Sequence, residues 1–340
     1  MTAAANARNA ELEAARLLLA KLGVSPEELL QRVPARPATP TFREYLPVVR
    51  AAVGPGTLRA YSSYWNRIEQ RWGDRRMDDV KPTDIGGLVE QVKANRVMRR
   101  NGRSGRGAAE NLIAALRCVY NHAVADGYLS KDDNPALKVA KPQRLPSTRG
   151  ALADAKLTEL NTAAASSGND PELDALLLRL HTETACRRGG ALALRPLDLD
   201  EEQCLIRLRE KGETARWQPV SPTMMQYLLQ HARERGAPPD GQLLRYRNGT
   251  PITRRRYDHL FVRLGQLLPW VATQQVSIHW LRHTTLTWVE RNFGYAIAQA
   301  YAGHADSNGE AGTTARYVRA KLSEIAAALA ALTGEPHPMQ

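Results

Sequence analysis

Six side chains suited to phosphate chemistry occur in order along this 340-residue chain: Arg187, Lys211, His279, Arg282, His304 and Tyr317. Two guanidinium groups offer forks of donors that can hold the nonbridging oxygens of a phosphodiester and stabilise charge on a pentacoordinate phosphorus. A lysine and two histidines can move protons, and a tyrosine hydroxyl can attack phosphorus without a metal.

Each residue alone also has a plainer reading. Arg187, or its neighbour Arg188, is an ordinary surface arginine on a helix; Lys211 is an exposed turn lysine; Tyr317 is one packing tyrosine among eleven. His279 and His283 are spaced like the zinc pair of a HExxH metalloprotease, but Trp280 stands where that motif needs glutamate. Buried structural histidines are the third reading of that pair. The densest acidic run, Asp198, Asp200, Glu201 and Glu202, falls between a helix and a strand and reads as a solvated turn rather than a two-metal site. No GxxxxGK[ST] loop is present.

The elements that must position these groups follow from periodicity and caps. In the front half the pattern is helical from Thr41 to about Asp126, with starts predicted at Thr41, Thr57 and Thr83. A long helix is predicted from Gly107 to Ala125, where Leu112, Leu116, Val119 and Ala123 form one apolar stripe. Before it lie five arginines with three glycines, Arg96, Arg99, Arg100, Arg103 and Arg106, either a solvated basic loop or a phosphate contact. Upstream, residues 9–22 read as an amphipathic helix with Leu12, Ala15, Leu18 and Leu19 on one side. Ser25-Pro26-Glu27-Glu28 has the form of a capping box for a short helix to Gln31, and Pro34, Pro37 and Pro40 space an extended linker.

Between Asn134 and Gly150 the helical pattern lapses at Pro135, Pro142 and Pro146, which marks an interdomain linker. Beyond it, Ala151–Ala165 and Pro171–Thr182 read as helices, Gln203–Leu208 and Arg216–Val220 as a hairpin pair, and Leu243–Tyr246 as a brief extended piece. Lys321–Leu332 is an amphipathic terminal helix with Leu322, Ile325, Ala326 and Leu329 as its stripe. The domains expected are 1–40, an N-terminal helical extension and linker; 41–133, a helical domain; 134–150, the linker; and 151–340, a domain of mixed helix and strand with a terminal helix.

Composition bounds the partner. A net charge of +12 with pI near 9.8 points to a polyanion, and nucleic acid is favoured because no basic amphipathic anchor accompanies the charge. Residues 1–150 hold 25 Lys/Arg against 15 Asp/Glu, leaving 22 against 20 in the rest, so the front half carries most of the excess. Three cysteines without CxxC spacing argue against a disulfide framework or a zinc ribbon. With no signal-like or membrane-length apolar stretch, the expectation is a reducing cytoplasm.

Taken together, Thr184-Ala185-Cys186-Arg187 with the segment to Asp200, Lys211 in its presumed hairpin turn, His279-Trp280-Leu281-Arg282-His283, Ala302-Gly303-His304 and Thr313-Thr314-Ala315-Arg316-Tyr317 resemble the active-site blocks of the tyrosine recombinase, or phage-type integrase, family. The resemblance spans about residues 41–335. It implies a mainly α fold with a small β component, a two-domain DNA clamp with an all-helical core-binding domain and a mixed α/β catalytic domain. It implies a site-specific DNA recombinase, an integrase of a mobile element, working through a 3′-phosphotyrosyl intermediate on double-stranded DNA without a cofactor. Arg187 and Arg282 would hold the phosphate with His304 as a further donor; His279 would assist proton removal from Tyr317, and Lys211 would protonate the leaving 5′ oxygen. The five arginines from Arg96 to Arg106 would contact DNA. The terminal helix would dock on a neighbour in a homo-tetramer on paired sites, with accessory DNA-bending or directionality factors as possible partners.

Two departures stand out: Gly190 replaces the acid usual three positions after the arginine, and His304 and Tyr317 are thirteen positions apart where about nine is usual, the surplus lying in a polar loop. A related strand transferase, such as a type IB topoisomerase or telomere resolvase, and an inactive DNA-binding protein of the same fold remain as alternatives.

Overall fold

The computed structural model describes residues 13–23, 25, 37–95, 105–143, 150–209, 215–303 and 321–340. The chain divides into two compact units, Met1–Leu145 and Pro146–Gln340. Residues 13–22 are helical, but Leu17, Leu18 and Leu22 are exposed, so the leucine-rich face there lies open. Of the capping box and short helix expected over 25–31, only Ser25 lies among the described residues.

The first unit is built from α1 (Phe42–Ala52), α2 (Pro55–Trp72), α3 (Pro82–Ala94) and α4 (Arg106–Ala125). Thr41 caps α1 reciprocally: its hydroxyl accepts from Glu44 N at 3.3 Å, while the Glu44 carboxylate accepts from Thr41 N at 2.8 Å. Helices α2 and α3 start at Pro55 and Pro82 rather than at Thr57 and Thr83, because proline at the first helical position forgoes no hydrogen bond and has φ already set. The α4 stripe of Leu112, Leu116, Val119 and Ala123 is fully buried, at about 1.5–3 kcal/mol for each large side chain. Two polar tips in this core find backbone acceptors: Trp65 Nε1 donates to Ala115 O at 3.1 Å and the Tyr120 hydroxyl to Met77 O at 2.9 Å.

The second unit is centred on α6 (Pro171–Thr184), whose Leu173, Leu177, Leu178 and Leu180 are buried. Around it lie α5 (Asp154–Ala165), α7 (Arg188–Leu192), α8 (Pro222–Glu234), α9 (Arg254–Leu267), α10 (Pro269–Gln274), α11 (Ile278–Phe293), α12 (Tyr295–Ala302) and α13 (Leu322–Thr333). The strands β1 (Leu199–Asp200), β2 (Leu205–Arg209) and β3 (Ala215–Pro219) form an antiparallel sheet in the order β1-β2-β3, with Ile206 opposite both Leu199 and Gln218. The expected hairpin pair is β2 and β3; the two-residue β1 is too short to carry an alternation and is an addition. The extended piece near Leu243–Tyr246 is an isolated bridge, Arg245 to Pro251.

The terminal helix α13 buries Ile325, Ala326 and Leu329 against β3, α12, α11 and α6 of its own chain. The residues after it hold it there: the Glu335 carboxylate accepts from Arg179 Nη2 at 2.7 Å and Thr223 N at 3.1 Å, and His337 Nε2 lies 3.2 Å from Cys204 O. The stripe expected to meet a neighbour is therefore covered within the chain.

A buried ion cluster fixes the start of α6. Asp174, with no exposure, accepts from Arg256 Nε at 2.7 Å and Arg263 Nη2 at 2.5 Å, and Arg256 is itself buried. Removing the carboxylate leaves a buried guanidinium without its counter-charge. Asp174→Ala is therefore expected to destabilise the second unit by about 3–5 kcal/mol, read as a lowered urea midpoint.

Candidate active site

Helix α6 ends in a turn whose hydrogen bonds leave little freedom for the residue that follows it. Ala185 takes a left-handed conformation, φ 49° and ψ 23°, with its N–H donating to His181 O at 3.1 Å. Cys186 N donates to the Thr184 hydroxyl at 3.2 Å, and the Thr184 hydroxyl donates to Leu180 O at 2.6 Å. His181 Nδ1 lies 3.0 Å from Cys186 O and Nε2 lies 3.1 Å from the Tyr257 hydroxyl. A carbonyl only accepts, so in the neutral ring Nδ1 carries the proton and Nε2 accepts from Tyr257. Out of this turn comes Arg187, half-buried and extended, at the cap of α7. The adjacent Arg188 diverges to α9, where its Nη1 donates to Asp258 at 3.2 Å. Gly190 is buried within α7.

Arg282 is the centre of the arrangement. It is 4% exposed; Nη1 donates to Ala185 O, and Nη2 donates to Ala302 O at 2.8 Å. One guanidinium thus joins α11, the turn leading to Arg187 and the end of α12 leading to His304. His279, one turn earlier on α11, is exposed, and its ring meets His283 edge-on with centroids 4.9 Å apart. The two motif residues of α11 therefore differ in environment, one facing solvent and one holding the core of the site. Trp280 between them is buried. Among the described residues no group of three or more His, Cys, Asp or Glu gathers as a metal site. Helix α11 is itself tied down, with Thr285 donating to Thr182 O at 2.6 Å and Thr284 accepting from Leu152 N at 2.9 Å.

The sheet and the turn leading into it carry two residues that the sequence reading did not single out as functional. Asp198, expected in a solvated turn, is 1% exposed and accepts from Arg195 Nε at 3.2 Å and from Arg209 through both Nη atoms. Burial alone would raise its carboxyl, but the hydrogen bonds and charges of Arg209 and Arg195 hold it below the usual carboxylate range. Only the remainder of that acidic run fits the turn reading: Asp200 accepts from Gln203 N at 3.0 Å, and Glu201 and Glu202 are exposed. The second residue is Arg216 on β3, packed over Gly303 at the end of α12, where φ is +62°. The spacing of Arg216 and Gln218 on one strand face was the available signal; no motif marks them.

Tyr301 sits beneath, fully buried, with its hydroxyl donating to Glu183 O. Burial drives that hydroxyl far above the ordinary tyrosine value, Glu183 adding to the shift and Arg216 opposing it. Tyr301 is thus a packing tyrosine and unsuited to attack. Lys211, His304 and Tyr317 lie outside the described residues, as do Arg96, Arg99, Arg100 and Arg103. Arg106 is exposed at the start of α4. No helix among the described residues is long and apolar enough to cross a membrane.

Two outcomes follow from these contacts. A lysine ammonium cannot span both carbonyls in the way a planar fork does, so Arg282→Lys is expected to leave one buried acceptor unmet and cost about 1–3 kcal/mol in chemical denaturation. For Asp198, a depressed folded value means that its contribution is present above the unfolded value near 4 and is lost as pH falls through the folded one. Urea midpoints of wild type and Asp198→Asn should therefore stay separated from pH 7 down to about 5 and converge below about 4.

The Phage integrase family matches residues 151–324 of the chain. A tyrosine recombinase XerC of Xanthomonas axonopodis pv. citri is 28% identical over 281 residues, 78% of this chain and 87% of that protein. The XerC of Chlamydia caviae is 30% identical over 243 residues, 70% of this chain and 72% of its own. Among solved structures, a lambda integrase dimer bound to a COC′ core site aligns with TM-score 0.60 at 16% identity, over 92% of this chain and 87% of that one. The Tn1549 transposon integrase in complex with transposon right end DNA gives TM-score 0.60 at 20% identity, over 79% and 92%. With the motif order, the fold and these relatives in agreement, the chain belongs to the phage integrase family of tyrosine-type site-specific recombinases.

Proposed function

We propose that the protein cuts and rejoins duplex DNA at specific sites through a covalent tyrosine intermediate, in the integration or excision of a mobile element. The observation that carries the reading is the Arg282 guanidinium, which binds the backbone just before Arg187 and just before His304 and so gathers three of the motif blocks at one place. An arrangement that draws two arginine-bearing segments and a histidine-bearing one together serves a phosphodiester better than any neutral substrate.

In this mechanism the Tyr317 hydroxyl attacks the scissile phosphorus, forming a tyrosyl–phosphate bond to the 3′ end while the bond to the 5′ oxygen breaks. His279, exposed on the first turn of α11, is the group to take the tyrosine proton. Lys211 supplies a proton to the departing 5′ oxygen. Arg187 and Arg282 hold the nonbridging oxygens, with His304 as a further donor, and balance the charge of the pentacoordinate state. A 5′ hydroxyl from a second duplex then attacks the phosphotyrosine and releases Tyr317. The intermediate conserves the energy of the phosphodiester, so no nucleotide is consumed.

The basic excess of residues 1–150, with Arg96, Arg99, Arg100, Arg103 and Arg106 ahead of and at the start of α4, supports a grip on backbone phosphates by the helical unit. Assembly into a homo-tetramer on paired sites is supported by the kinship in fold to a lambda integrase tetramer bound to a Holliday junction, which aligns with TM-score 0.61. The proposed domain limits are 1–40, 41–133, 134–150 and 151–340.

The test is trapping on a nicked suicide duplex carrying the element's own attachment site, resolved on a denaturing gel. Wild type is expected to form a protein–DNA adduct and Tyr317→Phe none. Adduct formation without exchange between two duplexes would move the reading to a topoisomerase-like strand transferase. A bound, uncleaved complex with both proteins would leave only a DNA-binding protein.

A further inference from the structure

The end of α12 is gripped from two sides by arginines that belong to different elements. From α11, Arg282 Nη2 donates to Ala302 O at 2.8 Å. From β3, Arg216 lies across the Cα of Gly303 so closely that a Cβ there would fall 2.2 Å from Nε and 2.4 Å from Cδ. Gly303 also has φ +62°, so glycine is required both for the backbone and for the approach of the guanidinium. Arg216 Nη1 donates to Gln218 Oε1 on the same strand face, and Gln218 is fully buried. The floor is Tyr301, fully buried and fastened to Glu183 O.

Arg216 stands at the second position of β3, five residues after Lys211, and Gly303 immediately precedes His304. One side chain therefore links the strand that follows Lys211 in sequence to the residue that precedes His304. We infer that Arg216 is a positioning residue of the active site: it clamps the Ala302–Gly303 corner to β3, fixing the anchors of two proton-handling segments relative to each other, and it does so without contacting the DNA phosphate. The inference rests on the recombinase reading above.

Displacing a catalytic group by about 1 Å can cost on the order of 100-fold in rate. Arg216→Ala is accordingly expected to slow single-turnover adduct formation on the suicide duplex by about 10- to 100-fold, while DNA affinity stays within about twofold of wild type. Arg216→Lys, which keeps the stem and charge but not the flat fork, should fall between the two and provides the measurement if the alanine variant does not fold. Gly303→Ala should also slow cleavage, because its methyl evicts the guanidinium and the left-handed backbone is strained. In an Arg216→Ala background no side chain remains to be evicted, so adding Gly303→Ala should cost less than it does alone, a non-additivity that measures the clamp itself.

A direct phosphate contact would show itself differently. Arg216→Ala would then weaken binding and lower the slope of log affinity on log salt by about 0.9, and that result would overturn the inference. So would an adduct forming at the wild-type rate in Arg216→Ala, or strictly additive losses in the double variant. A wild type that forms no adduct on the same substrate would instead remove the recombinase reading and this inference with it.

Discussion

The site depends on one buried guanidinium and the two carbonyls it binds. Arg282 donates to Ala185 O, 97 residues earlier, and to Ala302 O, 20 residues later. A buried charge is costly unless its donors are met, so folding of this unit favours the geometry in which both carbonyls arrive together. The two carbonyls fix the plane of the guanidinium fork between the two turns. The left-handed φ of 49° at Ala185 belongs to the same constraint, since it turns that carbonyl away from the helix axis and toward Arg282. Arg187 and His304 each follow within two residues of a carbonyl held in this way.

Around that centre lie anchors of a different kind, carboxylates that each gather several donors, arginine guanidinium groups among them. Asp198 joins the loop after α7 to the end of β2 through Arg195 and Arg209. Glu183 joins α6 to the start of α8: its carboxylate accepts from Ser221 N at 2.9 Å, from the Ser221 hydroxyl at 3.0 Å and from Arg179 Nε at 2.7 Å. Its own carbonyl accepts from Tyr301. The terminal residues join in through Arg179 and Glu335. The turns at Ala185 and Ala302, which lead into two of the motif blocks, thus have backbones fixed by packing and buried hydrogen bonds.

The parts of this design that were legible in the sequence are those governed by local rules. The helix start at Thr41, the apolar stripe of α4, the β2–β3 pairing and the order of the motif blocks each depend on neighbours within a few residues or on residue type alone. What was hidden depends on contacts across long stretches of chain. Asp198 looks like one more acid in a run of four, and only Arg195 and Arg209 converging on it reveal that it is buried. His279 and Arg282, three apart, suggest neighbours on one helix face, yet the first is exposed and the second enclosed, because the carbonyls that claim Arg282 come from distant turns. The close approach of Arg216 to Gly303 had no sequence signal beyond a glycine after a helix and an arginine in a strand. On the exposed leucines of residues 13–22, periodicity could report only that an apolar face exists, not whether anything covers it.

Gly190 brings these strands together. A side-chain acid three residues after Arg187 would orient its neighbours by accepting hydrogen bonds, and glycine cannot. What fixes the approach to Arg187 in this chain lies on the other side of it, in the turn where Thr184 receives Cys186 N, His181 donates to Cys186 O and Tyr257 donates to His181. Those groups are buried, and their bonds run through backbone atoms adjacent to the arginine rather than through the arginine itself. A network of this kind sets the direction of the main chain leading into Arg187 without any contribution from position 190. The rigidity of the mounting is thereby supplied on the other side of the arginine, so glycine at position 190 does not by itself loosen the approach to it.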